Sequence, residues 1–129
     1  MIESNKTIVN KSDEQVFLFI SDFNNFVHLM PPEVKDLKVT QNDCSFSIQG
    51  MPTIHLKIEE KTPYSLVRMI SRDGKLDFSL NCNLENIDES SCYAQFTFDA
   101  ELNSMMKMMV QKPLTNFLNT LTEKLKLIP

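Results

Sequence analysis

The sequence predicts an α+β protein in which a curved antiparallel sheet, unable to cover its own apolar face, is wrapped around one long C-terminal helix. Three observations predict it. Between Val34 and Leu102 apolar residues recur with period two, as in strands with one buried face. Segments of that stretch fold into hairpins whose registers set apolar against apolar. Leu114, Phe117, Leu118, Leu121, Leu125 and Ile128 then repeat at spacings of three and four, a helical stripe suited to packing on a sheet.

The elements follow in order. Residues Glu3 to Asn10, with β-branched Thr7, Ile8 and Val9, read as a first strand that stops at Lys11. Ser12-Asp13-Glu14-Gln15 is a capping-box pattern: the Ser hydroxyl can accept from the N3 amide while Gln15 reaches back, so a helix starts there. Val16, Phe17, Ile20 and Phe23 fall at helical spacing. Asp22 to Asn25 breaks this helix, and a second short one, Phe26 to Met30, is ended by Pro31-Pro32.

The hairpins are specified by register. With Gly50-Met51-Pro52 as a three-residue loop, Ile48 faces Ile54, Phe46 faces Leu56 and Cys44 faces Ile58. With Asp73-Gly74 as a two-residue type I′ turn, Met69 faces Phe78 and Val67 faces Leu80. A loop at Asp88-Glu89-Ser90 pairs Leu84 with Ala94, Cys82 with Phe96, Leu80 with Phe98, Phe78 with Ala100 and Leu76 with Leu102. A turn at Pro63-Tyr64 sets Ile58 against Met69 and keeps the apolar phase continuous from Cys44 to Leu102. In that phase the polar Glu60 and Ser71 point inward, opposite Val67 and Leu56.

The last helix reads as Ser104 to Leu127. Pro113 removes a backbone donor and crowds the preceding turn, so a bend or a fresh helix start is expected there. Met105, Met106, Met108 and Met109 cover more of the circumference than one stripe requires. Soft-metal ligation by thioethers would need them on one face beside a Cys or His, and they are not. Core filling, an adaptable pocket lining and a surface for a partner protein all remain open for them. The segment ahead of Pro113 is where an entrance is expected.

Strand, two short helices, about six antiparallel strands and a long C-terminal helix: this order resembles the helix-grip fold of the START-related superfamily (SRPBCC). That group includes polyketide cyclases and dehydratases, lipid-transfer domains and plant pathogenesis-related allergens. The resemblance covers essentially the whole chain, read as a single domain over residues 1–129. Its marks are architectural: Ser12-Asp13-Glu14-Gln15-Val16-Phe17 opening the first helix, the Asp22-Phe23-Asn24-Asn25 break, Met30-Pro31-Pro32, and Lys112-Pro113-Leu114 in the last helix. It implies an apolar cavity between sheet and helix for a lipid, polyketide, quinone or similar ligand. Where many members with cavities carry a Gly-rich loop, this chain has Gln41-Asn42-Asp43.

Composition narrows the function. The 129 residues are 42% apolar and 23% charged, without an apolar run near the roughly 20 residues of a bilayer span, so no stable membrane insertion is expected. A net charge of −4 disfavours nucleic acid as a partner. The N-terminus lacks the basic and apolar segments of a secretory signal, which makes the cytoplasm the expected compartment. Three cysteines without metal-site spacing read as buried thiols, and the register that sets Cys92 against Asn86 argues against a Cys82–Cys92 disulfide.

No nucleophile elbow, P-loop, HExxH or CxxC is present, so no catalytic residue, metal site or cofactor is assigned. The expected activity is binding or carriage of a small apolar ligand. Its lining would be Phe46, Leu56, Phe78, Leu80, Phe96 and Phe98 from the sheet, with Met106, Met109 and Phe117 from the helix. Glu60 and His28 are the candidate polar contacts. Two alternatives stand beside this. A cyclase or dehydratase would need acid and base groups such as Glu60, His28 and Tyr64 in the cavity. A co-chaperone-like interaction module would show a filled core and an exposed apolar patch, with Leu66 and Ile70 as candidates.

Overall fold

A computed structural model describes residues 1–48, 53–71 and 77–128. The chain runs β1 (Ile2–Glu3), β2 (Thr7–Val9), α1 (Asp13–Ile20), a 3-10 helix (Phe23–His28), β3 (Lys35–Val39), β4 (Asp43–Ser47), β5 (Ile54–Thr62), β6 (Leu66–Ser71), β7 (Phe78–Asp88), β8 (Ser91–Ala100) and α2 (Ser104–Leu125). The strands form one antiparallel sheet in the order β1-β8-β7-β6-β5-β4-β3, with β2 also on β8. The expected first strand is therefore two short pieces on one neighbour. α2 crosses the inner face.

Local chemistry starts each helix as the sequence implied, with one difference. At α1 the Ser12 Oγ accepts from the Gln15 N–H (3.1 Å), and the Ser12 N–H donates to Gln15 Oε1 (3.1 Å). The second helix begins at Phe23 rather than Phe26. Asp22 is not a breaker but an N-cap, whose carboxylate accepts from the Asn24 N–H at 2.9 Å. α2 is capped by Asn103, whose side chain accepts from the Met106 N–H at 2.8 Å, and it runs through Pro113 without the expected restart.

The registers divide sharply. The β7–β8 hairpin pairs Leu84 with Ala94, Cys82 with Phe96, Leu80 with Phe98 and Phe78 with Ala100, as expected. The β4–β5 and β6–β7 hairpins are each displaced by two residues: Phe46 faces Ile54, Cys44 faces Leu56, Met69 faces Leu80 and Val67 faces Cys82. Because side chains alternate, a two-residue displacement changes every partner and no face. The turns expected at Gly50-Met51-Pro52 and Asp73-Gly74, and Leu76 with its pairing, lie outside the described residues.

Ile58 faces Met69 as expected, but a bulge between Ile58 and Glu60 then sets Glu60 against Arg68. Glu60 is consequently exposed instead of inward, because one extra residue inverts the alternation beyond it. Ser71 is buried and pairs with Phe78.

The core lies between the sheet and the helices. Leu114, Leu118, Leu121 and Leu125 of α2 are buried against the inner face, where Leu56, Val67, Met69, Cys82 and Phe96 are also buried. Each such aliphatic side chain stabilises the fold by about 1.5–3 kcal/mol. Phe46 stacks on Phe117 (centroids 5.4 Å apart) and Phe78 on Phe98 (4.7 Å).

Candidate functional site: the cleft beside Pro113

Where the sheet, α2 and the segment after the 3-10 helix meet, the packing opens into a cleft of about 290 Å³. Pro31 and Pro32 end the 3-10 helix region, and the Val34 N–H donates to the Pro31 carbonyl at 3.1 Å, forming a tight turn. That turn puts Pro31, Glu33 and Val34 on one wall. It is tied to α2 by Lys124, whose ammonium donates to the Met30 carbonyl at 3.0 Å. The facing wall is Pro113, Asn116, Phe117 and Thr120, brought to one side of α2 by spacings of three and four. Ile48, just past β4, closes the end.

The apolar body of the cleft is Pro31, Val34, Ile48, Pro113 and Phe117, and its polar groups are Glu33, Asn116 and Thr120. Phe117 links it to the interior, since the face of its ring turned from the cleft stacks on Phe46. Behind that stack the interior is filled. Phe46, Leu56, Leu80, Phe96 and Phe98 are all buried in the core.

Of the nine residues expected to line a cavity, Phe117 alone borders this cleft. Phe78 is half-buried at the start of β7. Met106 and Met109 are exposed on the first turns of α2, with Met109 one turn before Pro113. His28 is exposed at the end of the 3-10 helix, tilted on Phe19 at 6.3 Å. Glu60 accepts from the Thr62 hydroxyl at 3.0 Å on the far side of the bulge. Tyr64 stands edge-on to Phe17 at 5.7 Å, and its hydrogen bond with the Glu14 carboxylate raises the phenol above its ordinary range. None of His28, Glu60 and Tyr64 borders the cleft.

Pro31, Glu33, Val34, Ile48, Asn116 and Thr120 were not singled out by the sequence. Asn116 and Thr120 had a usable signal, since they flank the Phe117 stripe at helical spacing. Nothing local pointed to Glu33 or Ile48, because the contact that brings them together is long-range.

A larger depression, about 540 Å³, lies on the outer sheet face among Glu59, Arg68, Asp77, Asp99 and Glu101. It is broad, polar and separated from α2 by the sheet, and it borders residues 72–76, outside the description, so the cleft beside Pro113 is the better candidate. The Arg68 guanidinium there is paired with Glu59 at 3.0 Å. Burial pushes the Cys44 thiol up to about 12 and Cys92 up to about 11, and raises Cys82 as well, so all three are protonated and inert at neutral pH. Among the described residues no group of three or more His, Cys, Asp or Glu is placed to hold a metal. No helix among them is long and apolar enough to cross a membrane.

A single antiparallel sheet curved around one long C-terminal helix, with two short helices after the first strands, is the helix-grip fold of START-related proteins, as the sequence resemblance implied. Solved structures share it at low sequence identity. The chain is similar to a START superfamily protein from Mycobacterium smegmatis (13% identity, 97% of this chain and 93% of that one, TM-score 0.69). It is similar also to truncated norcoclaurine synthase from Thalictrum flavum (12% identity, 97% and 89%, TM-score 0.73). With the di-domain ARO/CYC BexL of the BE-7585A biosynthetic pathway it shares 10% identity over 98% of this chain and 47% of that one, at a TM-score of 0.70. No family model and no curated protein matches the sequence.

Proposed function

We propose that the protein binds and carries a small apolar ligand, of lipid, polyketide or quinone-like character, in the cleft beside Pro113. One observation carries this reading: at the junction of sheet and helix, a concavity of about 290 Å³ is walled by five apolar side chains and rimmed by three polar ones. Binding sites for small molecules have that makeup, an apolar body with a few orienting polar groups. The shared fold with the ARO/CYC and norcoclaurine synthase structures supports it. In this reading Phe117 is the primary contact. A larger ligand would displace Phe117 from Phe46 and reach the inner layer of Leu56, Phe78, Leu80, Phe96 and Phe98, with Met106 and Met109 at the rim. No catalytic role is assigned to any residue.

Mass spectrometry of the natively purified protein tests this. A co-purifying small molecule, released by organic solvent and lost from Phe117→Ala while that variant stays folded, is the expected result. A bare mass, with no apolar probe shifting the amide resonances of Val34 and Phe117, overturns it.

A second reading, a protein-interaction module, is favoured by the filled core together with the exposed methionines of α2. Under it, Met105→Lys combined with Met108→Lys would abolish capture of a protein partner and leave small-molecule binding intact.

A further inference from the structure

The polar rim of the cleft is built almost wholly of hydrogen-bond acceptors, and we infer that its ligand is a small amphiphilic cation: an apolar, ring-sized body carrying an ammonium group. This inference rests on the proposed binding function and adds the chemical class of the ligand's polar end. Four groups argue for it.

Glu33 is the one charged residue among the described residues lining the cleft, and its carboxylate has no ion-pair or hydrogen-bond partner among them. An ionised carboxylate only accepts. Thr120 spends its hydroxyl proton on the Asn116 carbonyl at 2.9 Å, so toward the cleft its oxygen offers lone pairs. Proline at position 113 has no N–H, which leaves the Met109 carbonyl, one turn earlier on the same helix face, without its intrahelical donor. The Asn116 side chain can turn its oxygen or its nitrogen to a ligand, and so is indifferent to charge.

The donors nearby are occupied or lie outside. Lys124 gives its ammonium to the Met30 carbonyl. Lys35 and Lys112, adjacent in sequence to Val34 and Pro113, are exposed and do not line the cleft. A carboxylate ligand would meet Glu33 with like charge and find one neutral donor, Asn116. A neutral alcohol could give a single proton. An ammonium has three protons for the three acceptors, and its charge opposes that of Glu33. The apolar remainder then lies between Pro31, Val34, Pro113 and Phe117, where the Phe117 ring adds a face that attracts cations.

The test uses three probes of one carbon frame, 1-naphthylmethylamine, 1-naphthalenemethanol and 1-naphthoate, titrated into the full chain at neutral pH and low salt while Val34, Asn116, Phe117 and Thr120 amide shifts are followed. The amine should bind about three- to tenfold more tightly than the alcohol, and the acid least of all. Glu33→Gln, an exposed substitution that leaves the fold intact, should bring the amine to the alcohol's affinity and leave the alcohol unchanged. Added salt should weaken the amine alone. Equal binding of amine and alcohol, or tighter binding of the acid, overturns the cation inference while leaving the proposed binding function standing. Failure of all three probes to shift these residues overturns both.

Discussion

The two halves of α2 share one helix and behave as two different surfaces. From Leu114 onward, Leu114, Phe117, Leu118, Leu121 and Leu125 are buried at regular helical spacing against the sheet. Before Pro113 only Val110 is buried, while Met105, Met106, Met108 and Met109 are 72%, 39%, 80% and 66% exposed. Hydrophobicity therefore does not say which half holds the fold together. Periodicity does: a stripe can be buried on one neighbour, whereas apolar residues on all sides of a helix cannot. The methionines exceed what the core uses, and the candidate cleft lies at the proline that separates the two surfaces.

The largest expected contrast is in stability. Phe117→Ala removes the ring stacked on Phe46 and should cost about 3–5 kcal/mol, whereas Met108→Ala should stay within about 0.5 kcal/mol. Urea unfolding monitored by circular dichroism measures both. A cost above about 1 kcal/mol for Met108→Ala would show that residues outside the description, or a second molecule, cover the methionines, and the contrast between the halves would be lost.

Pro113 should have a smaller effect and the opposite sign. Replacement by Ala supplies an N–H to the Met109 carbonyl and removes the crowding of the preceding turn, while giving back some freedom to the unfolded chain. The balance should be a gain of about 1–2 kcal/mol. Such a gain means that proline is costly to the helix and that its place is explained by the cleft it borders. A loss would mean instead that the packing of Leu114 and Phe117 depends on the geometry proline imposes.

What could be read from the sequence follows the same division between periodic and non-periodic features. The β7–β8 register was legible because a short, locally specified turn fixes two long strands whose every inward position is apolar. The β4–β5 and β6–β7 registers each differed by two residues, since apolar alternation is satisfied equally well at either register and only the loop decides between them. Glu60 was placed inward by extending period two across a bulge that alternation cannot reveal. The inner face was legible as a surface, but whether it is hollow depends on how Phe46 and Phe117 meet across the core. The cleft itself is assembled from Pro31 to Val34, Ile48 and Pro113 to Thr120, three segments joined by tertiary packing. Phe117 was reachable because it belongs to the stripe; Glu33 belongs to no pattern.

The smallest expected effect tests whether the first half of α2 needs the sheet at all. Asn103 caps the helix through the Met106 N–H at 2.8 Å, and Asn103→Ala should cost about 1 kcal/mol if residues 104 to 110 are as firmly helical as the half that follows. A cap contributes to global stability only when the turn it closes unfolds together with the core. With four exposed methionines and a single buried Val110, that turn has little tertiary anchorage and depends on continuity with Leu114 through Pro113. A cost near 1 kcal/mol in urea unfolding would show that the proline transmits cooperativity. A cost near zero, together with rapid amide exchange at Met106 and slow exchange at Leu118, would show that the halves unfold separately and that the rim of the cleft opens without the core.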